Sequence, residues 1–314
     1  MTGFVVGTPY ALLDAERFTT DLRFDFTHLA KGHGVDVGRG WSYHLRRSLP
    51  YGAGVPTFVA AIAGLIPFAR RLGWHAFVIT TAALAIFVSI GSGFTVFFRY
   101  VLPLIPIVCL VAALGVRETG QWLARRSGTS PALAVGLLTA VVAVPSIVQS
   151  TWFDLLLART DTRVLAGAWL GPKLHASHSL HDTGSMYTRL DLKRVRFHEW
   201  AFDPVAGSFG RIDGSAARKP GQPQGPTPDW LVLHESPLQL YASTPAALSE
   251  LAAERYDLAF SVDATRGPAP SAVYDVQDAF FLPMSGFGSV ERPGPSIRIY
   301  RRRDDPASAP RETQ

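Results

Sequence analysis

Residues 100–116 read YVLPLIPIVCLVAALGV, a run without a charged side chain that ends at Arg117 and Glu118. A helix that crosses a bilayer needs about 20 predominantly apolar residues, and spans as short as about 17 residues occur. A helix on the surface of a soluble protein shows a polar face at the helical period, and this run shows almost none. The run therefore predicts a transmembrane helix.

Three further apolar runs flank this one. They occupy residues 51–69, 74–98 and 131–149, and charged or aromatic residues bound each of them. Four buried helices of a large soluble protein are the alternative, but they would carry polar faces. The sequence therefore predicts a polytopic α-helical membrane domain with about four transmembrane helices over residues 51–150.

The second and third runs meet at Phe97-Phe98-Arg99-Tyr100, which predicts an antiparallel hairpin with a very short connection. Pro103 and Pro106 fall early in the third run, where a proline caps or kinks a helix. We therefore expect Arg99 at a membrane interface beside a broken helix end. An arginine in that position either extends its charge to the interface or binds an anion such as phosphate with its planar guanidinium.

The composition changes at about residue 150, where charged residues return together with many prolines and glycines. Alternating and amphipathic patterns there predict a small soluble α/β domain over residues 151–303. Thr244 and Pro245 predict a helix start, with the threonine as N-cap and the proline at the first position. The expected helices cover residues 161–170 and 244–254, and the expected strands cover residues 230–233, 258–262 and 297–300.

Three segments are predicted to lie outside these regular elements. Residues 1–50 form an extracytoplasmic loop segment ahead of the first span. Residues 207–228 are rich in glycine, proline, serine and alanine, and predict a flexible insert within the second domain. Residues 304–314 predict a disordered polar tail.

The formal net charge of +5 favours an acidic or anionic partner. The arginines bracket the apolar runs, so the expected partner is the lipid bilayer, and no basic stretch interleaved with aromatic residues points to nucleic acid. Arginines lie on both sides of the runs, so the positive-inside rule does not decide the orientation. Cys109 is the only cysteine, so an intrachain disulfide is excluded.

No sequence motif assigns a metal, a cofactor or a catalytic group. His175, His178 and His181 have a spacing that invites a zinc site, but the segment reads as a turn entering a strand, where residues three apart point to opposite faces. No phosphate loop, dinucleotide fingerprint or nucleophile elbow is present. Carboxylates ahead of the first run, such as Asp14 and Asp36, read as solvated loop residues.

Residues 98–106, FRYVLPLIP, resemble the RY-x-LP-x-x-P span of bacterial polyprenyl-phosphate-dependent glycosyltransferases. These are membrane enzymes of the GT-C type, similar to protein O-mannosyltransferases and to the lipid A aminoarabinose transferase. Other stretches resemble family motifs in the same order: Thr8-Pro9-Tyr10, Gly32-His33-Gly34, Tyr43-His44-Leu45, Asp161-Thr162-Arg163 and Glu291-Arg292-Pro293-Gly294-Pro295.

The resemblance implies a bundle of many transmembrane helices with a soluble C-terminal domain. It implies transfer of a sugar from a polyprenyl-phosphate donor to an unidentified extracytoplasmic acceptor, with Arg99 and Tyr100 close to the donor phosphate. It also implies a bacterial inner membrane protein whose residues 1–50 and C-terminal domain face the periplasm.

The sequence departs from the family pattern in one respect. The family's catalytic carboxylate lies in its first extracytoplasmic loop, and no stretch of this sequence matches that loop. The expectation is therefore a C-terminal portion whose catalytic carboxylate would lie upstream of Met1, and which is inactive alone. The alternative is a non-catalytic membrane-anchored protein that presents a periplasmic interaction domain.

Overall fold

The computed structural model describes residues 6–212, 227–268 and 271–303 of the 314-residue chain. The chain divides into two compact units, Met1–Thr151 and Trp152–Gln314. We call the first the helical unit and the second the sheet unit.

In its described residues, the helical unit contains α-helices, one π-helical turn and one 3-10 helix. The π-helical turn is His44–Ser48, and the 3-10 helix is Phe98–Leu104. The α-helices are α1 (Tyr10–Leu13), α2 (Ala15–Lys31), α3 (Gly40–Tyr43), α4 (Leu49–Ala53), α5 (Val55–Leu72), α6 (Trp74–Gly91), α7 (Ile105–Ser127) and α8 (Pro131–Leu157), the last of which continues into the sheet unit.

The predicted number of membrane-length helices is confirmed. In the described parts of the chain, four helical segments are long and apolar enough to cross a membrane: Val55–Leu72, Trp74–Gly91, Phe98–Ser127 and Pro131–Lys173. Within the segment expected as a loop, the described residues 6–50 contain the helices α1 to α3, and α4 begins at Leu49.

Helix α7 runs past the charged residues that close the predicted third span. It ends at Ser127, where Gly128 takes a left-handed conformation that stops the helix. Arginine and glutamate are good helix formers, so the charges at Arg117 and Glu118 do not interrupt it. Glu118 also lies 2.5 Å from the guanidinium of Arg71 at the end of α5.

Helices α5 and α7 pack closely because each places a glycine at their crossing. A Cβ atom on Gly64 would lie 1.9 Å from the carbonyl oxygen of Val111. A Cβ atom on Gly115 would lie 2.1 Å from the carbonyl oxygen of Ala60. Small residues at a helix crossing let two backbones approach, a common arrangement between membrane helices.

The described part of the sheet unit contains a mixed sheet and two α-helices that cover it, α9 (Thr162–Leu170) and α10 (Ala246–Arg255). Short 3-10 helices occupy Gly171–Lys173 and Phe287–Ser289. In the described residues the sheet has six strands: β1 (Ser179–Asp182), β2 (His198–Asp203), β3 (Ser208–Arg211), β4 (Trp230–Glu235), β5 (Tyr256–Val262) and β6 (Ser296–Arg302). Their order across the sheet is β3-β2-β1-β4-β6-β5. Strand β1 pairs in parallel with β2 and β4, whereas β3, β6 and β5 add antiparallel pairings.

Strand β4 lies at the centre and is covered on both faces. Val232 packs with Ala166 and Leu170 of α9 in one hydrophobic cluster. Leu231 and Leu233, which point the other way, pack with α10 in a second cluster. The alternating pattern therefore builds a sheet between two helical layers, which confirms the predicted α/β class.

The predicted helix at residues 161–170 and the three predicted strands are confirmed. The N-cap prediction for Thr244 is wrong: Pro245 holds that position, and the Thr244 hydroxyl donates to the carbonyl of His234. The prediction of a flexible insert over residues 207–228 is wrong for Ser208–Arg211. These residues form β3, because Phe209 is buried in the core. Residues 213–226 and 304–314 lie outside the described residues.

Candidate functional site

The loop that carries Arg99 is longer than the predicted direct hairpin. Helix α6 ends at Gly91, and residues 92–97 form an irregular connection before the 3-10 helix Phe98–Leu104. The Gly-Ser-Gly sequence at the end of α6 weakens the helix there. Pro103 lies inside the 3-10 helix, and Pro106 lies at the start of α7. The predicted broken helix end is therefore present.

Helix α2 holds this loop in place. The hydroxyl of Thr95 donates to the carbonyl of His28 at 2.7 Å, and the amide of Phe94 donates to the carbonyl of Leu29 at 2.9 Å. Gly93 contacts the same turn so closely that a Cβ atom would lie 2.1 Å from the carbonyl of Leu29. These contacts fix the backbone immediately before Arg99.

Arg99 is exposed and rests on a buried aromatic ring. Its guanidinium carbon lies 4.1 Å from the ring centroid of Phe97, a cation–π contact. The Phe97 ring is in contact with Tyr100 on one side and with His33 on another, at centroid distances of 5.3 and 5.2 Å. His33 in turn contacts His28. His33 belongs to the Gly32-His33-Gly34 stretch, and its ring contacts the same Phe97 ring on which the Arg99 guanidinium rests.

A cavity of about 500 Å³ lies beside this aromatic series and is lined by residues 30–36 and Phe94. Lys31 and His33 contribute basic groups to its lining, and Asp36 contributes a carboxylate. The guanidinium of Arg39 lies over the Phe94 ring at 5.7 Å. The lining therefore contains one ammonium group and one carboxylate, and a further guanidinium lies next to the ring of Phe94.

The carboxylates ahead of the first span have local structural contacts. Asp14 caps α2 by accepting from the amide of Arg17, and Asp36 accepts from the amide of Gly38 at 2.9 Å. Asp21 lies 3.8 Å from the guanidinium of Arg17, and both side chains are largely exposed. The geometry assigns none of them as a catalytic base.

His44, from another of the quoted motifs, is fully buried in the π-helical turn. Its Nδ1 lies 2.9 Å from the hydroxyl of Ser48. Burial lowers the pKa of His44 to about 4, and a backbone contact at Ile90 opposes that shift only in part. The imidazole is therefore neutral at physiological pH and shielded from solvent, so it holds structure at this turn.

The motifs at Asp161 and at residues 291–295 meet in space. The amide of Thr162 donates to the carbonyl of Pro293 at 3.0 Å, and a Cβ atom on Gly294 would lie 2.0 Å from the Thr162 hydroxyl. The Asp161 carboxylate accepts from the amide and the guanidinium of Arg163. These two motifs join α9 to the turn before β6, and their role is structural.

Two of the three histidines considered for zinc have a ring nitrogen in contact with backbone. Nδ1 of His178 accepts from the amide of His175 at 3.2 Å, and Nδ1 of His181 lies 2.9 Å from the carbonyl of Trp200. Across the described ranges, no group of three or more histidine, cysteine, aspartate or glutamate side chains could hold a metal ion.

No family model, curated protein or solved structure matches this chain. What the site can do therefore follows from its own geometry, which places the exposed guanidinium of Arg99 over the ring of Phe97, just before the apolar helix α7.

Proposed function

We propose that this chain is part of a membrane glycosyltransferase that uses a polyprenyl-phosphate sugar donor, with Arg99 and Tyr100 next to the donor phosphate. The observation that supports this most directly is the position of Arg99. Its guanidinium lies over the ring of Phe97, and it precedes the long apolar helix α7. A lipid phosphate would complement both features, because its anionic head can pair with the guanidinium and its long apolar chain can lie along the helix.

The chemistry fits a phosphate leaving group. In the proposed transfer, an acceptor hydroxyl oxygen bonds to the anomeric carbon while the bond from that carbon to the phosphate oxygen breaks. Polyprenyl phosphate leaves with the electron pair, and a base takes the hydroxyl proton. A planar guanidinium can donate to two phosphate oxygens at once, so Arg99 would stabilise the charge that develops on the leaving group.

The helix behind Arg99 provides an apolar surface for the isoprenoid chain. Leu102 is 64% exposed and Leu110 is 43% exposed, on the same continuous helical segment. In the proposal the segment lies in a bacterial inner membrane, and the sheet unit faces the periplasm. The lipid tail would then lie along α7, and its phosphate would lie at the membrane surface beside Arg99.

Binding of undecaprenyl phosphate to the full chain in lipid nanodiscs tests the proposal. Arg99→Ala removes hydrogen bonds to a charged group, so the dissociation constant should rise by about tenfold or more. Arg99→Lys retains the charge but loses the bidentate geometry, and should bind with intermediate affinity. Tyr100→Phe tests whether the phenol hydroxyl takes part.

Arg126→Ala is the matched control. Arg126 also lies over an aromatic ring, at 4.6 Å from Trp122, but at the other end of α7. Its removal should leave the affinity unchanged. Equal loss in the Arg99 and Arg126 variants would show that general basic charge attracts the lipid, and the proposed site would be wrong.

A second candidate is a membrane-anchored protein that presents the sheet unit for binding. The observation in its favour is that the sheet unit is compact and has hydrophobic clusters on both faces of its sheet. Failure of the chain to bind any lipid phosphate, with the sheet unit folded, would favour this candidate over the transferase.

A further inference from the structure

A polar cleft of about 430 Å³ lies at the carboxyl end of β4 in the sheet unit. The loop 236–244 forms one wall, and Ala264, Thr265 and Tyr274 contribute to the other. Ligands of α/β proteins commonly bind in crevices outside the carboxyl ends of parallel strands, and β4 is parallel to β1. The volume is in the range of small-molecule sites, which start at about 300 Å³.

Internal hydrogen bonds hold the walls of this cleft. The hydroxyl of Ser296 accepts from the amide of Ala264 at 3.1 Å, and the Gln239 amide group donates to the carbonyl of Ser236 at 3.1 Å. Thr244 donates to the carbonyl of His234 at 3.1 Å. The loop and the strand ends are therefore tied into a defined shape, and the cleft does not depend on a ligand to form it.

Glu235 provides the charge of the cleft. It is the last residue of β4, pairs with Ser296 across the sheet and is exposed. Among the described residues no ion pair engages its carboxylate, and the other side chains that line the cleft are uncharged. A carboxylate accepts hydrogen bonds from hydroxyl groups and repels phosphate or carboxylate ligands.

Tyr274 provides an aromatic wall. Its ring packs against the cluster formed by Leu238, Tyr241, Ala242 and Phe281. Burial raises the pKa of Tyr274, so the phenol stays protonated and can donate a hydrogen bond. A partly buried tyrosine thus offers a flat apolar face and a polar tip to the same ligand.

The cleft continues into a second cavity of about 470 Å³ that shares Glu235, Thr265 and Ser296 with it. The arginines of this extension are paired with carboxylates. Arg298 lies 2.8 Å from Asp263, and Arg266 contacts Glu291. The extension therefore has little net charge, and the two cavities together offer room for more than one sugar ring.

We infer that this groove binds a neutral carbohydrate of one or more sugar rings. Hydroxyl groups of the sugar would donate to the Glu235 carboxylate and exchange hydrogen bonds with the polar rim, while an apolar ring face would rest on Tyr274. A phosphate ligand is disfavoured by Glu235, and a purely apolar ligand would leave the polar lining without partners. In the proposed transferase this groove would hold an acceptor glycan, but the binding itself does not depend on Arg99.

The test measures binding of soluble glycosides to the full chain in a zwitterionic detergent that has no sugar headgroup. Saturation-transfer NMR screens the methyl glycosides of mannose, glucose, galactose and arabinose, and calorimetry follows a bound glycoside and its disaccharide. Inorganic phosphate and putrescine serve as anionic and cationic probes. We expect saturable binding of at least one glycoside, tighter binding of its disaccharide, and no binding of phosphate or putrescine.

Two variants locate the site. Glu235→Gln keeps the shape of the side chain and should weaken glycoside binding by about tenfold, because hydrogen bonds to a charged acceptor are lost. Tyr274→Phe keeps the ring and should weaken binding by a few-fold. Glu250→Gln, at an exposed position on α10, is the matched control and should leave the affinity unchanged.

Circular dichroism and thermal melting establish that each variant is folded. Absence of glycoside binding, preference for phosphate or putrescine, or unchanged affinity in both folded groove variants would overturn the inference. None of these outcomes bears on binding of undecaprenyl phosphate at Arg99, so the inference and the proposed function can fail separately.

Discussion

Nε2 of His234 lies 2.8 Å from Oδ1 of Asp182, and the two side chains are 0% and 8% exposed. The two residues belong to β4 and β1, which are adjacent parallel strands at the centre of the sheet. The Asp182 carboxylate also accepts from the amides of Gly184 and Leu190, at 2.7 and 3.3 Å. The pair is sealed from solvent and ties the loop after β1 to β4, which makes it a structural contact.

Asp182→Asn should destabilise the sheet unit. Burial by itself would raise the pKa of Asp182, but the contact with His234 and the two amides hold that pKa below its usual value. The ionised carboxylate therefore stabilises the fold above the ordinary pKa of 3.8, and this contribution is lost as the pH falls through the lower folded value. Breaking a buried pair costs about 3 kcal/mol of unfolding free energy, measurable by urea unfolding with tryptophan fluorescence.

Asp257→Asn is the control for that substitution. Asp257 pairs with Arg303 at 2.8 Å, but its side chain is 70% exposed, so its loss should cost less than about 1 kcal/mol. If the Asp182 and Asp257 variants unfold at the same urea concentration, the buried pair does not have the structural role given to it here.

Because His44 is buried, we expect the protein to lose stability under mildly acidic conditions. The unfolded chain has the ordinary histidine pKa of 6.5, whereas burial lowers the folded value to about 4. Because the unfolded state binds the proton first, the stabilising contribution is complete above pH 6.5 and is lost as the pH falls toward 4. The free energy of unfolding should fall by up to about 1.4 kcal/mol for each pH unit in that window.

Thermal melting of the full chain between pH 7 and pH 4 measures this effect. His44→Gln keeps a polar partner for Ser48 but cannot be protonated, so its stability should depend less on pH. His75→Gln, at an exposed position at the start of α6, should retain the wild-type dependence. If the melting temperature of the His44→Gln variant falls with pH as steeply as that of the wild type, then His44 is not the group that causes the loss of stability.

Local patterns were sufficient for many elements of this fold. The charge-free runs predicted the four apolar helices, the short, mostly apolar segments 230–233 and 258–262 predicted β4 and β5, and alternation predicted β6. Strand β3 was not predicted, since its glycine-rich surroundings resemble a loop and its pairing with β2 is a tertiary contact. The apolar run gave no sign that α7 continues past it to Ser127, because that part of the helix contains charged residues such as Arg117 and Glu118.

In the candidate site, too, local features were predicted from the sequence and tertiary contacts were not. The sequence placed Arg99 beside a proline-broken helix end, which depends only on local chemistry. The contact of Phe97 with His33 requires α2 to pack on the loop before Arg99, and no sequence spacing indicates it. Likewise, Asp182 and His234 meet only because β1 and β4 are neighbours in the sheet.

Gly64→Ala should disrupt the crossing of α5 and α7. The added methyl group would lie 1.9 Å from the carbonyl oxygen of Val111, so the backbones must separate. Overpacking of this kind costs about 2 kcal/mol, and the melting temperature in detergent should fall accordingly. Gly136→Ala is the control on α8, since a Cβ atom there meets nothing within 4 Å. Equal melting temperatures for both variants would contradict the close crossing.

Gly294→Ala should separate the two motifs that meet in the sheet unit. Gly294 has a φ of +105°, which residues with a side chain rarely adopt, and the new methyl group would lie 2.0 Å from the hydroxyl of Thr162. Strain of this kind costs about 2 kcal/mol, and because the turn also shapes the cleft beside Ser296, glycoside binding should weaken with stability. Gly288→Ala meets nothing within 4 Å and should change neither property. A Gly294 variant that melts and binds like the Gly288 variant would show that this turn tolerates a side chain, and the motifs would then need a different explanation.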